Sequence, residues 1–97
     1  MNVIKWKTLE IFCTKHADVK GQLQTWYDAL KRNSYGSFQE LKADFPSVDS
    51  VGNERYVFNI KGNKYRLVAQ INFRVNVVRI RFIGTHAEYD KLDAQHI

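Results

Sequence analysis

From Arg55 to Arg81 the chain reads "RYVFNIKGNKYRLVAQINFRVNVVRIR". It holds seven basic residues, Arg55, Lys61, Lys64, Arg66, Arg74, Arg79 and Arg81, while all ten acids lie elsewhere. Guanidinium and ammonium groups at such density neutralise phosphates, and arginine does so through two parallel donors that stay charged. Just beyond lies "GTHAEYDKLD", with His86 and Tyr89 three residues apart and so on one side of a short helix. An imidazole exchanges protons near neutral pH, and a tyrosine ring stacks on a base or donates a hydrogen bond. Charge alone fits an ordinary solvated strand face equally well. A solvated face usually mixes signs, however, and a face of one sign carries a repulsion that a polyanion relieves.

Other chemistries find less support. His16, His86 and His96 show no HxxxH spacing and no cysteine pairing, so no zinc site is expected. "KGNK" lacks the glycine spacing of a phosphate-cradling P-loop, and the acids avoid the basic segment, which leaves no serine triad. Cys13 stands alone and reads as a small packing residue in a reducing compartment. Trp6 and Trp26 occupy helical positions and read as core.

The elements that must position these groups follow from periodicity. Asn2 to Ile4 is a possible short strand. Thr8 to Lys15 forms one helix and Val19 to Lys31 a second, with Val19, Leu23, Trp26 and Leu30 on one face and Asp18 as its N-cap. Ser37 and Glu40 have capping-box spacing for a helix from Phe38 to Asp44 that ends before Pro46. "SVDSVGNE", residues 47–54, reads as a loop. Gly62 and Asn63 form a two-residue hairpin turn, and Arg74 to Asn76 the next turn, in a three-stranded antiparallel meander of Arg55 to Lys61, Lys64 to Phe73 and Val77 to Ile83. Thr85 or Gly84 caps the short helix that follows.

Alternation places Tyr56, Phe58, Ile60, Tyr65, Leu67, Ala69, Ile71, Val78, Ile80 and Phe82 on the face that meets the helices. The other face presents Arg55, Asn59, Lys61, Lys64, Arg66, Gln70, Arg79 and Arg81, with Val57, Val68 and Ile83 between them. The chain therefore reads as an α+β domain spanning residues 1–97, a meander with N-terminal helices on one face and a short C-terminal helix. At 97 residues a second core is not expected. Fifteen basic and ten acidic residues give a net charge of +5, which favours a polyanionic partner. Lys5, Lys7 and Glu10 interrupt what would be the apolar core of a signal peptide, and no apolar run is long enough for a membrane span. A cytoplasmic protein without a membrane partner is expected.

The combination of "FPS" at Phe45 to Ser47, "VFNIKGNKYRL" at Val57 to Leu67 and "THAEYDK" at Thr85 to Lys91 resembles the HigB family of bacterial toxins, within the RelE-like mRNA interferases. The likeness is strongest from Leu41 to Ala94; "WY" at Trp26 and Tyr27 extends it to the N-terminal helices. The resemblance implies a small RelE-like fold and cleavage of messenger RNA on the translating ribosome, in the small subunit's A site. It also implies a cognate HigA-type helix-turn-helix antitoxin, through which alone operator DNA would be met. Carried to this chain, the catalytic positions are Lys61, Lys64, Arg66, Arg81, His86 and Tyr89, with Arg55, Asn59, Arg79 and Lys91 as RNA contacts. RelE itself has an arginine near the place of His86, so the face transfers more directly than the individual roles.

The expected reaction needs no cofactor: a ribose 2′-hydroxyl attacks the adjacent phosphate and leaves a 2′,3′-cyclic phosphate and a 5′-hydroxyl. Arg66 and Arg81 would stabilise the developing charge, and His86 would transfer protons, imidazole having a reference pKa of about 6.5. Lys61 or Lys64 is the competing base, if neighbouring cations lower its pKa. The alternatives are a non-catalytic RNA-binding module that stacks bases on Tyr89 or Tyr65, and a domain whose basic face meets an acidic peptide.

Overall fold

The computed structural model describes all 97 residues. In chain order the elements are β1 (Asn2–Ile4), α1 (Trp6–Lys15), a 3-10 turn (Ala17–Val19), α2 (Lys20–Arg32), α3 (Phe38–Asp44), β2 (Asp49–Gly52), β3 (Arg55–Ile60), β4 (Tyr65–Asn72), β5 (Val77–Thr85) and α4 (His86–Tyr89). The strands form one sheet in the order β1-β5-β4-β3-β2, in which β1 runs parallel to β5 and every other pair is antiparallel. The fold is the α+β arrangement read from the sequence, with the meander extended by one strand on each side.

Helices α1 to α3 cover one face. Leu9, Val19, Leu23, Trp26, Leu30 and Leu41 are buried there against Phe58, Ile60, Leu67, Ala69, Ile71, Val78 and Ile80. On α2 the spacing of Leu23, Trp26 and Leu30 puts one stripe against the sheet. Ser37 caps α3 by accepting from the Glu40 amide, while the Glu40 carboxylate reaches back to the Gly36 amide. Asp18 does not cap α2: Val19 occupies that position with no side-chain bond, and the Asp18 carboxylate turns instead toward the β3–β4 loop.

Residues 49–52, read as loop, are the edge strand β2. The turn Asn53–Glu54 has positive φ at both residues, 54° and 62°, as the tightest hairpins require. Because the turn is Asn-Glu rather than Asn-Gly and the strand is polar and half exposed, neither turn chemistry nor alternation betrays it. The next connection is longer than expected: Ile60 pairs with Tyr65, so Lys61 to Lys64 form a four-residue loop with Lys61 and Gly62 at φ 55° and 65°. Lys61 and Lys64 thus sit at the tip of a hairpin and not on the sheet. After β4, the Asn72 carboxamide accepts from the Arg74 and Val75 amides, and Asn76 at φ 56° completes the turn.

A bulge in β5 changes the face assignment. Ala69 pairs with Ile80 but Val68 pairs with Phe82, which leaves Arg81 opposite no partner. The extra residue inverts alternation beyond it. Phe82 consequently lies on the second face, beside Val68, and Ile83 packs against the helical core, the reverse of strict alternation.

The second face is not open. Val57 and Val68 are 4% and 0% exposed although they stand apart from the main core cluster. From α4 the chain runs across this face to the β2–β3 hairpin. There Gln95 donates to the Val51 carbonyl, Asn53 donates to the Gln95 carbonyl, and Arg55 donates through Nε and Nη2 to the Ile97 carbonyl. A second, thin apolar layer therefore lies beneath the C-terminal segment.

Gly84 makes that layer close. A Cβ there would stand 2.5 Å from Phe82 Cζ and 3.0 Å from Glu88 Oε1. Gly84→Ala is expected to destabilise the fold by about 1–3 kcal/mol, the usual cost of overpacking, measured as a lower urea midpoint with an unchanged slope.

Candidate active site

Strand register arranges the second face in rows. Asn59, Arg66 and Gly84 make the row nearest α4; Val57, Val68 and Phe82 make the next; Arg55, Gln70 and Arg79 make the third. Successive rows are two residues apart, roughly 7 Å along the strands. The apolar row separates two basic groups that the sequence alone merges into one.

The first group is built on Arg66. Its guanidinium carbon lies 4.8 Å from the centre of the Tyr89 ring, a cation–π contact, and its buried Nε has no hydrogen-bond partner. No carboxylate forms a salt bridge with it, whereas Lys61 and Lys64 both have one. A half-buried cation with no carboxylate partner suits an incoming phosphate.

Tyr89 is held by local chemistry. Thr85 Oγ1 accepts from the Glu88 amide and Glu88 Oε1 accepts from the Thr85 amide, a complete capping box that fixes the single turn of α4. The bonds from Thr85 hold the Glu88 carboxyl below its ordinary range. The same turn carries His86, whose Nδ1 lies 3.2 Å from Asp90 Oδ2. With Nδ1 engaged there, Nε2 is the ring nitrogen left for proton exchange.

Lys61 and Lys64 meet a residue the sequence does not single out for this site. Both ammoniums bond Asp18 Oδ2 at 2.9 Å, and the Tyr65 hydroxyl donates to Asp18 Oδ1 at 3.1 Å. His16 Nδ1 stands 3.3 Å behind that hydroxyl. Asp18 lies 43 residues before Lys61 and on a different element, so no local spacing signals the contact. The lysine bonds hold the Asp18 carboxyl well below the usual carboxylate range, and Asp18 in turn pushes Lys64 up. This reverses the depression expected of a lysine base among cations. Tyr65, a stacking candidate from sequence, is 2% exposed and belongs to the core.

The third row is self-contained. Arg81, the bulged residue, donates through Nε and Nη2 to Gln70 Oε1 at 3.2 and 2.6 Å. Arg55 is held by the carbonyls of Ile97 and Asn53. Arg79 is exposed beside them, and Lys91 is exposed just after α4. The structure thus brings Arg66, Tyr89 and Asn59 together with His86 on the adjoining turn, and sets Arg81, Arg79 and Arg55 apart from them. No three histidine, cysteine or carboxylate side chains converge in a way that could hold a metal. A cleft of about 500 Å3 lined by Trp26, Phe45 and Phe58 lies on the helical side and shares only Asn59 and Lys61 with the basic groups.

The sign of the Asp18 contact gives a pH test. A carboxyl depressed in the folded state contributes stability above its ordinary pKa of 3.8 and loses it as pH falls toward the native value. A lysine raised above 10.5 contributes below that value and loses it as pH rises through the native one. The contact is therefore whole across neutrality. In urea melts, Asp18→Asn is expected to be less stable than the native chain at pH 7, with the gap narrowing as pH falls below about 4.

Residues 19–92 match the family described as HigB toxin, the RelE-like toxic component of a toxin-antitoxin system. The chain is 34% identical over 98 residues to a protein of Escherichia coli K12 named mRNA interferase toxin HigB, covering 99% of this chain and 94% of that one. An mRNA interferase HigB of Shigella flexneri matches to the same extent. Another, of Escherichia coli O6:H1, is 31% identical over 94 residues, covering 95% of this chain and 91% of that protein. A match to three quarters of the chain by the family and to nearly all of it by these relatives means that the chain belongs to the HigB family of RelE-like toxins.

Proposed function

We propose that this chain is an mRNA interferase that cleaves messenger RNA on the translating ribosome, by metal-independent attack of a ribose 2′-hydroxyl, and that a cognate antitoxin neutralises it. The observation that carries the reading is Arg66: a cation on the central strand, over the Tyr89 ring, with no acid to satisfy it.

The step balances on the RNA itself. The 2′-oxygen forms a bond to the adjacent phosphorus and gives its proton to a base; the bond to the 5′-oxygen breaks and that oxygen takes a proton from an acid. The products are a 2′,3′-cyclic phosphate and a 5′-hydroxyl. Arg66 faces the charge that builds on the equatorial oxygens, in a setting partly sheltered from water by α4 and the C-terminal segment. His86 supplies proton transfer through Nε2, with Asp90 orienting the ring. Tyr89 holds the Arg66 plane on one side and offers its ring edge to a nucleotide. Lys64, raised by Asp18, is a poor base at neutral pH, and its charge is engaged by that carboxylate. Arg81, Arg79 and Arg55, one or two rows away, are placed to hold phosphates flanking the cut, with Asn59 and Lys91 nearer to it.

The antitoxin is of the HigA type, with a helix-turn-helix domain that provides the only route to operator DNA. The reaction belongs to the bacterial cytoplasm; no helix is long and apolar enough to cross a membrane.

The test is a map of new mRNA ends after brief induction of the native chain beside Arg66→Ala and His86→Ala at matched soluble levels. Cuts at a fixed codon phase are expected, weakened in Arg66→Ala by about 10²–10³-fold, the usual effect of deleting one charge-stabilising donor. Arg66→Lys is expected to rescue little, since an ammonium neither stacks on Tyr89 nor presents paired donors. RNA that is bound but yields no new ends at substoichiometric protein would replace this reading with a binding module. An end map indifferent to Arg66 would remove the face from the reaction.

A further inference from the structure

Two lysine ammoniums and a phenol hydroxyl converge on one carboxylate from separate parts of the chain: Lys61 and Lys64 from the hairpin tip, Tyr65 from the first residue of β4, and Asp18 from the 3-10 turn before α2. This is a built arrangement and not a chance surface pair. The Lys64 amide bonds the Lys61 carbonyl, closing the loop so that both ammoniums point the same way. The Tyr65 ring is buried, its centre 5.3 Å from the ring centres of both Phe12 and His16, so its hydroxyl emerges in one place. Three donors meeting at two oxygens are the coordination a phosphate seeks.

The cradle also opens to solvent. The side chains of Lys61, Lys64 and Asp18 are 37%, 57% and 34% exposed, so a polyanion can compete with the carboxylate. It lies at the α4 end of the sheet, where Tyr65 pairs with Thr85 and Arg66 with Gly84. Lys64 precedes Arg66 by two residues, with Tyr65 between them turned to the helical side, so the cradle meets the Arg66 face around the end of the hairpin.

We propose that Lys61, Lys64 and the Tyr65 hydroxyl form a second phosphate site, around the hairpin end from Arg66, and that Asp18 fills it as an internal competitor, withholding two cations from bound RNA. The proposal rests on the reading of the Arg66 face as an RNA site and adds a limit to it. With Asp18 in place, the strand is held by the arginines and Tyr89, and its grip stays weak enough for the toxin to be selective among polyanions; without Asp18, the loop becomes an additional, sequence-indifferent clamp.

The experiment uses single-stranded RNA methylated at every 2′-oxygen, so that it binds without being cut. Its affinity is measured against salt concentration for the native chain, Asp18→Asn, Lys61→Gln/Lys64→Gln, and all three substitutions together. Each phosphate neutralised on a single strand steepens the log–log salt slope by about 0.7, so Asp18→Asn is expected to bind more tightly with a slope steeper by about 1.4. The triple variant returns to the native slope, and the double lysine variant keeps it. A native slope in Asp18→Asn overturns the proposal, as does a loss of about 1.4 in the double variant, which would mean the lysines already hold RNA. Should Asp18→Asn not fold, Asp18→Ser takes its place in the same comparison.

Inorganic phosphate separates this from failure of the RNA reading. Titrated into both proteins, it is expected to shift the NMR signals of Lys61, Lys64 and Tyr65 in Asp18→Asn and not in the native chain. No shift in either overturns the cradle. Arg66→Ala with undiminished RNA affinity would instead sink the RNA reading and leave the cradle to be judged by phosphate.

Discussion

The central strand β4 is covered on both faces, and the placement of charge depends on that. The helices bury Leu67, Ala69 and Ile71; the chain after α4 covers Val68 and its neighbour Val57. Burying a valine contributes about 1.5 kcal/mol or more, so the C-terminal segment is kept against the sheet by the apolar row as well as by its hydrogen bonds to β2 and β3. Cations cannot occupy that row. They are displaced to its two sides, and a sheet face that would otherwise be a uniform basic surface becomes two groups with different surroundings.

Those surroundings resolve the repulsion in different ways. Arg55 and Arg81 spend donors on the oxygens of Ile97, Asn53 and Gln70. Lys61 and Lys64 share a carboxylate. Arg66 has only the face of Tyr89, and its buried Nε bonds to nothing. The half-buried cation without a carboxylate is the one most ready to accept a phosphate, and it stands near the start of the central strand with a paired residue on each side. Preorganisation of this kind matters because a donor already aimed need not reorganise when charge develops. The capping box of α4 serves the same end, since a four-residue helix has too little of its own cooperativity to hold Tyr89 over Arg66.

The bulge at Arg81 shows how one residue can alter a face. Strict alternation puts Phe82 in the core and Ile83 on the basic side, because side-chain direction has period two along an unbroken ladder. One unpaired residue inverts everything after it, and the inversion sends Phe82 over Gly84 and Ile83 into the helical core. A run such as "VVRIRFIGT" is apolar enough on both phases that either register reads well.

Local sequence determined the elements whose signals are local. These are the apolar stripe of α2, the Ser37 cap of α3, the Thr85 cap of α4, the three central strands, the turn from β4 to β5, and the acid-free segment that concentrates cations on them. The "FPS", "VFNIKGNKYRL" and "THAEYDK" motifs carried the resemblance to the family as well. The tertiary structure alone decided what depends on contacts between distant residues. An edge strand as polar as β2 forms only because β3 is there to pair with it. Asp18, suited by type to cap α2, is drawn away by two lysines more than forty positions on. The second face, polar by alternation, is closed by a segment whose sequence contains no strand or long helix. In each case a long-range electrostatic or apolar contact outweighs a local preference worth about 1 kcal/mol, and no window of sequence contains both partners.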